Sequence, residues 1–109
     1  MMLVVLAALS GAIAVAAGAF GAHGASGPAV EWLKTGAQYQ LIHVVAALVA
    51  VRMEARGAAW LFVIGAAIFA LTLYAMALGA PRWFGAITPI GGALLIGGWL
   101  WLAWSAMRS

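Results

Sequence analysis

Four apolar runs divide this chain, at about residues 2–20, 36–51, 58–78 and 87–105, and the polar residues collect in the gaps between them. A run of some 18–20 apolar residues at ~1.5 Å per residue matches a hydrocarbon core of roughly 30 Å. The pattern predicts an all-α integral membrane protein: a four-helix transmembrane bundle in a single domain, residues 1–109. Pro28 suits the first turn of a helix, with Ser26 or Gly27 as its cap, so one helix is expected over 28–51. Its early part, Val30, Trp32 and Leu33 with Glu31 and Lys34, reads as an interfacial lead-in to span two. Glu31 and Lys34 are spaced to pair on one face. Gly79 and Pro81 end span three, and Thr88-Pro89 is expected to open span four as cap and first residue.

Composition strengthens this reading. The hydrophobic fraction is 68%, and only seven of the 109 residues carry a formal charge, two acidic and five basic. Mean hydropathy is +1.15. A soluble chain of this size could not hide so much apolar surface. With no cysteine there is no disulfide, thiolate metal site or cysteine nucleophile. The net charge of +3 is spread over loops and tail, so membrane anchoring is expected and nucleic-acid binding is not. No Lys or Arg precedes Lys34, so the first run reads as a span and not as a cleaved signal. An even number of spans puts both termini on one side. Arg52, Arg56 and Arg108 lie there, against Lys34 and Arg82 on the other, which favours cytoplasmic termini. Trp60, Trp99, Trp101 and Trp104 are expected in one aromatic belt, Trp32 and Trp83 in the other.

Small residues are the usual means of close helix approach in lipid. Span one carries Ala7, Gly11, Ala14, Gly18 and Gly21 along one face, and span four carries Gly91, Gly92, Gly97 and Gly98. Packing is the expected role of Gly11, Gly18, Gly21, Gly91, Gly92 and Gly98, with a pore or groove as the competing reading. An accessory subunit would keep the span-one stripe free for a partner.

With Arg52 at the inner boundary, His43 lies about 13 Å deep, near the midplane. Gln38, Tyr39, Gln40, Thr72 and Tyr74 fall in the outer half, with His23 and Thr88 at the outer ends. Tyr39 and Gln40 share the face of His43; Gln38 points elsewhere. These residues form the candidate polar pocket, for a proton, ion, quinone or lipid headgroup. The competing and more usual role is an internal hydrogen-bond network that fixes helix register. No metal pattern, nucleophile elbow or phosphate loop is present. No cofactor, no metal and no catalytic residue are therefore expected.

Four stretches are familiar: Gly18-Ala-Phe-Gly-Ala-His23-Gly24, Thr35-Gly-Ala-Gln-Tyr-Gln-Leu-Ile-His43, Phe69 through Tyr74, and Ile87-Thr-Pro-Ile-Gly-Gly92. In this order the chain resembles the small four-span proteins called domain of unknown function 423, related to animal transmembrane protein 256. The third stretch departs, with Ala70, Leu71, Thr72 and Leu73 where the family tends to have Ser and Gly. The resemblance implies an inner-membrane protein in bacteria and carries over no activity. It marks His23, Gln38, Tyr39, Gln40, His43, Thr88 and Pro89 as motif positions. The expected function is that of a non-enzymatic binding or accessory protein, with an oligomeric carrier or channel for a small solute or ion as the alternative. The lipid bilayer is the expected partner, and a homo-oligomer or larger membrane complex stays open, as does any small-molecule ligand.

Overall fold

The computed structural model describes residues 1–108. It contains four long helices, α1 (Met2–His23), α2 (Pro28–Arg52), α3 (Arg56–Ala77) and α4 (Thr88–Arg108), and no strand among the described residues. A short 3₁₀ turn, Arg82–Ala86, precedes α4. Periodicity did not predict it, because five residues are too few to show a helical repeat.

Each helix end has a local cause. Gly27 precedes Pro28 at φ 66° and ψ −150°, a conformation open in practice to glycine, so the cap has no side-chain bond. After α2, the Ala55 N–H donates to the Ala50 carbonyl at 2.8 Å and the Glu54 N–H to Val51 at 3.0 Å. That pair is a Schellman motif, and it holds Glu54 at φ 60°. The same motif closes α3, where Ala80 donates to Ala75 and Gly79 to Met76. There glycine takes the left-handed position, at φ 110°.

The helices form an open row. α1 packs on α2, α2 on α3 and α3 on α4; α1 touches α3 lightly, and α4 packs comparably on neither α1 nor α2. α3 is central: half of its apolar window is inside the protein, against 17% for α1 and 22% for residues 82–108. By length and composition, α1, α3 and residues 82–108 can each cross a membrane. α2 is the longest helix but less apolar. It crosses between α1 and α3, where Gln40 and His43 are buried. The start of α1, the end of α4 and the 53–55 turn share one side, called here the terminal side; residues 24–27 and 78–87 form the far side.

Small residues set the spacing. A Cβ on Gly11 would lie 3.6 Å from Val44, one on Gly18 3.5 Å from Ala37, and one on Gly21 3.0 Å from Leu33. The span-one stripe is thus spent on α2, and the expectation that it is kept free for a partner does not hold. α3 and α4 come closest at Gly91, where a Cβ would stand 2.7 Å from the Gly65 carbonyl oxygen and against the Phe69 backbone nitrogen. At Gly98 it would meet the Phe62 ring at 2.7 Å. At Gly92 the contact is looser, like those of Gly11 and Gly18: a Cβ would lie 3.8 Å from the Phe69 ring.

Candidate functional site

The polar residues do not form one pocket. The structure divides them into two interhelical staples and one wall of a cleft. The first staple is centred on Gln40, which is 1% exposed. Its Nε2 donates to Ser10 Oγ on α1 at 2.8 Å, and its Oε1 accepts from Tyr74 Oη on α3 at 2.7 Å. One side chain therefore ties three helices. Gly36 makes room for Tyr74, since a Cβ there would stand 2.7 Å from the ring. Ser10, which the candidate polar set does not include, is part of the staple.

The second staple joins α3 and α4. Thr72 Oγ1 and Thr88 Oγ1 are 2.6 Å apart, and Thr72 also donates toward the Ile68 carbonyl at 2.8 Å. Thr88 is the first residue of α4, one position inside the expected cap, and its hydroxyl faces Thr72. No buried side-chain polar atom lacks a partner among the described residues.

His43 belongs to the third set. Nδ1 lies 2.7 Å from the Tyr39 carbonyl, and Nε2 lies 2.9 Å from Trp99 Nε1. A carbonyl can only accept and an indole N–H can only donate, so the proton sits on Nδ1 and Nε2 is the acceptor. Rings surround the imidazole: Tyr39 stacks at 6.1 Å, Phe62 lies at 5.8 Å and Trp99 meets it edge-on at 5.8 Å. Trp99 is nine residues before Arg108, as His43 is before Arg52, so both are about 13 Å from the terminal side. It is not a belt tryptophan. Its neighbours Trp101 and Trp104 hide it in the sequence, and only its bond to His43 separates it from them.

Because α4 leans on α3 and not on α2, a cleft opens between α2 and α4 toward the lipid. Its upper cavity, about 410 Å³, is lined by Tyr39, His43, Phe69, Gly92, Ile96 and Trp99, among others. Its lower cavity, about 240 Å³, is lined by Ile42, Val45, Ala46, Val49, Trp99 and Leu102. Trp99 belongs to both. Gly92 lines the upper cavity beside the Phe69 ring. No charged side chain lines either cavity.

Two expected members are elsewhere. His23 is exposed at the end of α1, and Gln38 is exposed on α2. Neither joins a staple or lines the cleft. Gln38 is two residues from Gln40, about 200° around the helix, so it must point away. Glu31 and Lys34 make no ion pair, and no cluster of metal-ligating side chains occurs among the described residues.

The sequence profile of a protein family of unknown function, DUF423, matches residues 17–92. That stretch runs from the end of α1 to Gly92 and contains both staples except Ser10, and the whole of the cleft's α2 wall. The chain belongs to this family. Among its relatives, a UPF0382 membrane protein of Haemophilus influenzae is 40% identical over 95% of this chain and 92% of its own length. The UPF0382 inner membrane protein YgdD of Escherichia coli strain K12 is 38% identical over 97% of this chain and 89% of its own. The UPF0382 membrane protein SH2409 of Staphylococcus haemolyticus is 36% identical over 98% and 96%. No solved structure matches the chain. The family is one of membrane proteins, in agreement with the fold, and its description assigns no activity.

Proposed function

We propose that this is a non-enzymatic membrane protein that takes a bilayer-resident amphiphile sideways into the cleft between α2 and α4. The observation that carries this reading is the cleft itself: a lipid-facing space with Tyr39, His43 and Trp99 on its walls. Intramembrane ionisable groups usually serve a site or a pairing role. Gln40, Tyr74, Thr72 and Thr88 pair between helices away from the cleft, while His43, paired with Trp99, lies on the cleft wall.

Binding is favoured over catalysis. Both His43 nitrogens are engaged, and no carboxylate, serine or lysine lines the cavities. A carrier or channel needs a polar path from side to side. The buried polar groups instead bond to one another, which speaks against that alternative. The name of the Escherichia coli relative supports an inner-membrane location. The three arginines of the terminal side support cytoplasmic termini.

The test is native mass spectrometry of protein extracted gently from its own membranes, beside Gly92→Leu. Leucine there projects into the upper cavity without meeting backbone. A bound mass present in the parent and missing from the variant is the expected result. A bare parent, or the same mass on both, would contradict the reading.

A further inference from the structure

We infer that the cleft selects an anionic glycerophospholipid, whose phosphate sits on Arg82 and one of whose acyl chains descends past Trp99; this rests on the binding function proposed above. Trp32, Tyr39 and Ala46 recur every seven residues on one continuous helix. They therefore stand on nearly one face, about 10 Å apart in height. Ala46 lines the lower cavity and Tyr39 the upper one. Above them, at the far side, the Arg82 guanidinium lies over the Trp32 ring at 5.6 Å.

The ladder has the polarity of a phospholipid. Its top is an exposed guanidinium with no carboxylate partner among the described residues. Its middle is the Tyr39 phenol, which is 43% exposed and makes no hydrogen bond among the described residues. Its lower part is two cavities without charge. Phosphate complements the first, a glycerol ester carbonyl accepts from the second, and an acyl chain fills the third. The charge asymmetry favours this occupant over others. A free phosphate leaves the cavities empty, and a neutral diacylglycerol leaves Arg82 unpaired. A zwitterionic head brings its own ammonium to a site that already carries a cation.

The test uses the full chain in nanodiscs of phosphatidylcholine doped with small, equal amounts of dioleoyl phosphatidate and dioleoylglycerol. Native mass spectrometry then reads the lipids retained. The parent should hold phosphatidate in preference to both others. Arg82→Gln should lower phosphatidate retention about fivefold, the worth of one basic residue near a lipid surface. Tyr39→Phe should lower phosphatidate and diacylglycerol alike. Arg82 and Tyr39 are both exposed, so neither change threatens the fold. Arg108, which lies over Trp104 at 4.5 Å on the terminal side, is the matched control, and Arg108→Gln should change nothing. Equal retention of the three lipids, or an equal fall in Arg108→Gln, would overturn the phosphate assignment and leave the cleft reading standing. If no lipid is retained above the bulk level and Gly92→Leu behaves as the parent, the cleft reading falls with it.

Discussion

Trp99 donates its indole N–H to Nε2 of His43 across the mouth of the α2–α4 cleft, at 2.9 Å. The bond links two helices that otherwise pack little on each other. It also decides the imidazole's chemistry, because Nδ1 must then donate to the Tyr39 carbonyl. Nitrogen-15 spectra of His43 in reconstituted protein should show the Nδ1–H tautomer. In Trp99→Phe, which keeps a ring against Phe62, the tautomer preference should weaken, since the Tyr39 carbonyl alone is left to hold it. An Nε2–H tautomer in the parent would remove the assigned bond.

Gly91 and Gly92 are neighbours with opposite roles. Gly91→Ala drives a methyl into the α3 backbone at Gly65 and Phe69, which cannot yield as a side chain can. A cost of about 1–3 kcal/mol in detergent unfolding is expected, as for other overpacked sites. Gly92→Ala meets only ordinary contact distances and should be within about 0.5 kcal/mol of the parent. Equal effects would mean that the α3–α4 approach is placed wrongly.

The two Schellman motifs make a second paired comparison. Glu54 takes a left-handed conformation that glycine adopts without strain, while Gly79 already has glycine there. Glu54→Gly should therefore stabilise by up to about 1 kcal/mol, and Gly79→Ala should destabilise by about as much. Thermal unfolding of the two variants reads the signs directly.

Much of this was legible in the sequence. Run lengths gave the four helices, and Pro28, Gly79 and Pro81 gave most of their ends. Spacing alone also put Tyr39 on the His43 face and sent Gln38 away from it. Three things were not legible, each for a physical reason. Depth along a helix says how far a residue lies from the boundary, not which neighbour it meets, so Gln40 and His43 looked like one site although they serve different interfaces. Ser10 stood alone in its span, and its partner is 30 positions away. Trp99 sat beside Trp101 and Trp104, and nothing in their spacing separates it from them. The row of helices, which opens the cleft, depends on which glycines approach which backbone, and composition does not carry that.

The Gln40 staple should behave as an interaction energy shared by its members. Tyr74→Phe leaves Gln40 Oε1 without its donor, and Gln40→Leu leaves both Tyr74 and Ser10 unpaired. Hydrogen bonds between membrane helices average about 0.6 kcal/mol, with a ceiling near 1.7. A double-mutant cycle for this pair should return coupling within that range. Additive effects would deny the bond.

The central claim is that Gln40 ties α1, α2 and α3 together away from the cleft, while a ligand is received at the cleft wall where His43 and Trp99 meet. Unfolding temperature and retained lipid, measured side by side on Gln40→Leu and Gly92→Leu, test it most directly. The account predicts a crossed result: Gln40→Leu lowers the unfolding temperature and keeps its lipid, while Gly92→Leu keeps the temperature and loses the lipid. If stability and lipid fall together in both variants, the staple and the cleft are one site, and the division drawn here is wrong.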